Sequence, residues 1–304
     1  MASIVFMFAG QGAQYPGMGK ELYESSPAAR RIFDRAEEIR PGTIDMCFNG
    51  PAEELNRTIN TQPCLFTMDY ACAQAAVEAG IQPDFCAGFS LGEVAAAGFA
   101  GIMDFDEAFR FVIRRGEEMQ KCAEKLQGAM GAVLRLNAEQ VEGICREFPD
   151  QAYPVNYNCP GQTVVACRAD CFDAIAARVA QEKGRMMRLM VSGAFHTPWM
   201  GEAAAALKEY LDSRRLNAPK LPLYANFNAQ PYGENAAELL AKQVCNPVRW
   251  QQTIENLRSA DTFIELGAGK TLSGLVKKTL PDAQVFKLET PEDIQKIKEA
   301  VYAG

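Results

Sequence analysis

The chain opens on five consecutive apolar residues, Ile4-Val5-Phe6-Met7-Phe8, that stop at Ala9-Gly10-Gln11-Gly12. An unbroken apolar run of strand length ending in glycines predicts a strand buried on both faces and entering a tight loop. Phe85-Cys86-Ala87-Gly88 repeats the pattern, and the alanine-rich stretch 94–100 beyond Ser90 predicts a helix. Strands alternating with helices predict an α/β body around a parallel sheet. Between Met130 and Ser192 the rhythm changes. Strands are expected over 131–136, 153–158, 163–167 and 185–191, helices over 138–148 and 170–183, and a turn at Cys159-Pro160-Gly161. That βαββαβ order is the split βαβ arrangement of a small ferredoxin-like module. We therefore expect a body of residues 1–128 and 193–304 with a subdomain, 129–192, inserted into it. Further body strands are expected over 221–226 and 262–266, and a cleft between the two parts is the default place for a site.

Composition narrows the function. At 304 residues the chain can bury a large core. Its 31 Lys and Arg against 38 Asp and Glu leave a net charge of −7, opposite to what a phosphate-backbone binder needs, so no nucleic acid partner is expected. No stretch reaches the ~18–20 apolar residues of a membrane span, and Met1 to Gly10 has no basic start leading into a long apolar segment. The expectation is a cytoplasmic chain without a membrane partner. Ten cysteines, spread from Cys47 to Cys245 with no C-x-x-C pair, read as reduced thiols packed as small hydrophobes. There is one histidine, His196, so a His-rich metal site is excluded and any imidazole chemistry must use this residue. No metal or redox cofactor is implied.

Gly88-Phe89-Ser90-Leu91-Gly92 fits G-x-S-x-G, the elbow that exposes a serine hydroxyl between a strand and a helix. The helix N-terminus beyond it offers free N–H groups to a developing oxyanion. A serine hydroxyl needs a base, and His196, in a loop just after the expected insert, is the sole imidazole available. No acidic partner for it can be picked from sequence, so a dyad oriented by a carbonyl and a triad both stand. Asp104 and Glu107 cap a helix whose apolar face carries Phe105, Ala108, Val112 and Met119, and Arg115 shares that face. An inward guanidinium needs an anion, either a substrate carboxylate or an internal Asp or Glu, and periodicity alone favours the internal pair. Glu265 to Thr271 ends like a phosphate-binding loop, but Ile264 stands where its first glycine is required, so a strand-to-helix turn is expected. The glycines from Gly12 to Gly19 lack the dinucleotide-binding spacing.

With these pieces in place the chain resembles the malonyl-CoA:acyl-carrier-protein transacylases and the related acyltransferase domains of polyketide synthases. The matching segments are Phe8 to Gln14, Gly88 to Glu93, Arg115-Gly116 with Met119-Gln120, Asn158 to Gln162, Phe195-His196, Asn246-Pro247-Val248 and Glu265 to Lys270. The resemblance implies an α/β-hydrolase-like body with a ferredoxin-like insert. It also implies malonyl transfer from malonyl-CoA to acyl carrier protein, with Ser90 as nucleophile and His196 as its base. The backbone N–H groups of Gln11 and Leu91 would form the oxyanion hole, Arg115 would clamp the malonyl carboxylate, and Gln243 would orient His196 through its main-chain carbonyl. Phe195 would crowd a methyl on the α-carbon, an effect of about 1–3 kcal/mol, so malonyl over methylmalonyl is a preference. One position departs from the pattern: members of the family commonly carry histidine before the nucleophile, where this chain has Phe89. The alternatives are a trans-acting acyltransferase or editing acyl hydrolase of a polyketide synthase, a general serine esterase, and a non-catalytic carrier-docking subunit. An acidic carrier would need a local basic patch, for which Lys183, Arg185, Arg188 and Lys277-Lys278 are candidates.

Overall fold

Among the described residues nine strands divide between two sheets: β1 (Ile4–Phe8), β2 (Phe85–Gly88), β3 (Gly128–Leu134), β4 (Ala152–Cys159), β5 (Gln162–Arg168), β6 (Arg185–Arg188), β7 (Leu223–Tyr224), β8 (Thr262–Leu266) and β9 (Gln284–Leu288). The structure, a computed structural model, describes residues 3–191 and 193–302. Ser192, the last residue of the expected insert, lies outside the described residues, as do the first two and last two of the chain.

The first sheet has the order β7-β2-β1-β8-β9 and every pairing in it is parallel. Its central strand is the opening apolar run, and each of the five residues of β1 is buried. That burial explains why the segment is continuously apolar: helices cover both faces of a parallel sheet, so no position alternates toward water. One covering helix, Thr58–Glu78, is buried along almost its whole length and has very little amphipathic character. Such a helix belongs inside the body.

The second sheet is antiparallel, order β4-β5-β3-β6, with the helix Ala138–Arg146 between β3 and β4 and the helix Phe172–Gln181 between β5 and β6. This is the ferredoxin-like βαββαβ topology, inserted between β2 and β7 of the parallel sheet. The two parts are joined at β4, where Tyr157 N–H donates to Val248 O at 2.9 Å and Val248 N–H to Val155 O at 2.8 Å. Two expected strands are shorter than their apolar runs. β6 ends at Arg188 and β7 has two residues, and each is an edge strand with one neighbour to hold it. At β7 the preceding Pro222 accepts from Cys86 N–H at 2.9 Å but has no N–H of its own to extend the ladder. Among the described residues, no helix is long and apolar enough to cross a membrane.

Candidate active site

Ser90 stands at the turn from β2 into the helix Leu91–Phe99, with φ 54° and ψ −103°, a conformation a non-glycine residue adopts only when its surroundings impose it. The flanking glycines are part of that imposition. A Cβ on Gly88 would lie 2.1 Å from the Gly92 carbonyl, and one on Gly92 would lie 2.1 Å from Phe8 O. Asn226, wholly buried beyond the end of β7, holds the turn from outside: its Oδ1 accepts from Ser90 N–H at 2.7 Å and its Nδ2 donates to Gly88 O at 2.6 Å. Sequence reasoning assigned Asn226 to a strand end and gave it no role.

His196 approaches from the loop that follows the insert, and its Nε2 lies 2.7 Å from Ser90 Oγ. On the other side Nδ1 lies 2.8 Å from the main-chain carbonyl of Gln243. A carbonyl only accepts, so Nδ1 carries the proton and Nε2 is left bare to accept from the serine hydroxyl. Burial, followed by the nearby positive charge of Arg115, pushes the imidazole pKa down to about 4, so the ring is neutral and able to act as a base at neutral pH. Of the two arrangements left open by sequence, the geometry is the dyad oriented by a carbonyl.

Arg115 comes from the helix Phe105–Lys125, whose N-cap Asp104 accepts from Glu107 N–H at 2.8 Å. Its side chain is 1% exposed, as the periodicity required. One guanidinium nitrogen donates to Ser90 Oγ at 3.1 Å and to Gln243 Oε1 at 2.8 Å, while Nε has no partner. Among the described residues it makes no direct ion pair; Gln243 stands between it and the nearest buried carboxylate, Glu93. Gln243 Nε2 donates to Glu93 Oε2 at 2.8 Å and to Ser90 O at 2.5 Å. Tyr232 OH and Asn226 N–H donate to Glu93 Oε1 at 2.5 and 3.1 Å. Burial lowers the Arg115 pKa to about 10, with Glu93 opposing the shift, so the guanidinium stays charged.

A cavity of about 70 Å³ opens beside Ser90 and His196 and is walled by Phe195, Met119, Met130 and Val191. It adjoins a larger one of about 260 Å³ between the two sheets, and Gln11, Phe89, Asn156 and Leu189 line both. The buried amide oxygens of Asn156 and Asn158, both residues lining the larger cavity, have no partner. Leu91 is the first residue of its helix, where an N–H has no intrahelical acceptor, and Gln11, three residues beyond β1, lines the same cavity as Ser90.

The acyl transferase domain family matches residues 5–303. The malonyl CoA-acyl carrier protein transacylase of Bacillus subtilis is 41% identical over 97% of this chain and 96% of its own length. A crystal structure of malonyl CoA-acyl carrier protein transacylase from Clostridium perfringens superposes with a TM-score of 0.95 at 34% identity, covering 99% of this chain and 98% of that one. A malonyl-transacylase solved in complex with its type II polyketide synthase acyl-carrier protein gives 0.94 at 30% identity, over 98% of this chain and 100% of the other. The chain belongs to the acyl transferase family.

In this acyl transferase Phe89, the residue before Ser90, leaves the Ser90–His196 contact intact. Its ring meets Trp250 edge-on with centroids 5.4 Å apart, and the buried indole N–H of Trp250 has no hydrogen-bond partner. The segment from Glu265 to Thr271 is a strand-to-helix turn, with Gly267 and Gly269 at positive φ. Its helix N-terminus is already occupied, because Glu265 accepts from Leu272 N–H at 2.9 Å and Ser273 N–H at 2.7 Å. Lys183, Arg185 and Arg188 are exposed on the insert, and Arg188 lies over the Phe172 ring at 3.7 Å. Lys277 is spent on Ala283 O at 2.6 Å, whereas Lys278 reaches Gln162, on the wall of the larger cavity.

Proposed function

We propose that the protein moves a malonyl group from malonyl-CoA to the phosphopantetheine thiol of an acyl carrier protein through a malonyl ester of Ser90. The observation that carries this reading is that Ser90 Oγ is held between a bare imidazole nitrogen at 2.7 Å and a buried guanidinium at 3.1 Å. A base alone would serve any acyl transfer; a charged Arg115 in contact with Ser90 Oγ favours an acyl group that ends in a carboxylate. The names of the relatives agree with that substrate.

In the first step His196 takes the Ser90 proton as Oγ attacks the thioester carbonyl. The N–H groups of Gln11 and Leu91 receive the oxyanion. The C–S bond then breaks, and the imidazolium returns its proton to the departing CoA sulfur. In the second step His196 takes the proton of the carrier thiol, the thiolate attacks the ester, and Ser90 Oγ leaves with that proton. The larger cavity receives the pantetheine arm common to donor and acceptor, with Asn156 and Asn158 on its wall. Phe195, buried beside His196, leaves little space for an α-methyl group. Residues 129–192 act as the inserted lobe, and an acidic carrier docks over Arg185, Arg188 and Lys278 at the cavity mouth. All ten cysteines are free, which suits the reducing cytoplasm.

The test is intact mass after incubation with malonyl-CoA. The wild type gains one malonyl group and Ser90→Ala gains none; with carrier protein added, the malonyl group leaves Ser90 and appears on the carrier. Free malonate with an unmodified carrier would make the protein a hydrolase.

A further inference from the structure

Glu93 lies three residues after the nucleophile, and its carboxylate is wholly buried at the end of a hydrogen-bond chain that leads to Arg115. We propose that Glu93 is a positioning residue for substrate choice: by dictating which way round the Gln243 amide sits, it holds Arg115 beside Ser90 Oγ and sets the preference for a dicarboxylic over a monocarboxylic acyl group. The proposal rests on the acyl-transfer reading above.

The chain has one polarity. Glu93 receives three donors, Tyr232 OH, Asn226 N–H and Gln243 Nε2, and as a carboxylate it can only accept. Ser90 O, the second group facing Gln243 Nε2 at 2.5 Å, is also an acceptor. Two acceptors on one side force the amide nitrogen toward them and turn Oε1 the other way, where it takes Arg115 at 2.8 Å. The guanidinium is thereby held beside Ser90 Oγ with its Nε unpartnered. Arg115 is the cation whose charge bears on Glu93, Tyr232 is the other ionisable group against it, and His196 lies beyond Arg115.

Glu93→Gln breaks the polarity without changing the volume. If the new amide keeps its oxygen toward Tyr232 and Asn226, its NH2 confronts that of Gln243. Turning Gln243 over to relieve that presents its own NH2 to Arg115, donor against donor, and its Oε1 to Ser90 O, acceptor against acceptor. In the opposite orientation the new NH2 meets the main-chain N–H of Asn226, which cannot reverse. Either way the buried chain keeps a mispaired polar group, and with the carboxylate gone the hold of Gln243 on Arg115 is weakened.

Rates of Ser90 acylation by malonyl-CoA and by acetyl-CoA, from rapid quenching and intact mass, give the ratio that matters. In Glu93→Gln the malonyl-to-acetyl ratio should fall about tenfold, the worth of one buried charge-assisted contact. A role confined to folding would lower both rates together and leave the ratio alone. The wild type offers a measurement that needs no variant. Burial pushes the Glu93 carboxyl up to about 7, so the wild-type ratio should fall as pH drops below that value, while titration of His196 is common to both donors and cancels. A wild-type ratio independent of pH, or a Glu93→Gln ratio equal to wild type, overturns the proposal. Should the wild type take up acetyl but no malonyl group, the underlying substrate reading fails instead.

Discussion

Arg115→Ala separates a substrate clamp from an internal tie. A carboxylate meeting the guanidinium at two points gains two charge-assisted hydrogen bonds of about 1.5–3 kcal/mol each. Against this, the free enzyme gives up the contact from Arg115 to Ser90 Oγ at 3.1 Å, and the bond to Gln243 at 2.8 Å is strained or shared. A net of about 3 kcal/mol remains, which corresponds to about a hundredfold in kcat/KM. Acetyl-CoA has no carboxylate and should lose far less. The assay is the rate of acyl-Ser90 formation with each donor, and a thermal melt accompanies it because the substitution leaves Glu93 buried without its neighbouring cation. An equal loss for the two donors in a protein that still melts cooperatively would refute the clamp and return Arg115 to a structural role.

Two further outcomes follow from buried titratable groups. With acetyl-CoA as donor, acylation should stay flat from neutral pH down to about 5 and decline toward the His196 pKa of about 4; a half-maximal rate at the ordinary imidazole value of 6.5 would mean that the ring is not desolvated as the structure has it. Asp69 is wholly buried in the helix Thr58–Glu78, neither carboxyl oxygen has a well-formed hydrogen bond although the Ala9 backbone N–H bears on it, and a Cβ on Gly267 would lie 1.8 Å from its Oδ1. Burial and the charge of Glu265 hold its pKa well above the ordinary 3.8. The unfolded chain therefore releases this proton as pH rises past 3.8 while the folded chain keeps it, so the contribution of Asp69 to stability falls with rising pH until the folded group itself ionises. Asp69→Asn removes that penalty, and its stability advantage in urea unfolding should widen between pH 4 and neutrality; a gap that does not change with pH would show that Asp69 is already charged in the fold.

Sequence alone determined the features that depend on near neighbours. Continuous apolar runs marked the buried parallel strands, the change of period marked the βαββαβ segment, and helical spacing turned Arg115 inward. The elbow was legible because a serine with positive φ needs glycine on both sides, and a single histidine left no choice of base. What Arg115 faces was not legible, since periodicity reports burial and says nothing of the partner: among the described residues Arg115 makes no direct ion pair, and Gln243 lies between it and the buried Glu93. Asn226, Tyr232 and the side chain of Gln243 also escaped notice. Asn226 and Ser90 are 136 residues apart, Tyr232 and Glu93 139, and Gln243 and Glu93 150, so no local pattern links them. The lengths of β6 and β7 were likewise decided by position, because an edge strand has one neighbour to pair with and stops where that neighbour stops supporting it. Short-range sterics and hydrophobic period act along the chain and can be read there; a buried hydrogen-bond chain forms between segments that meet only after the sheet has assembled, and its polarity exists only in the folded protein.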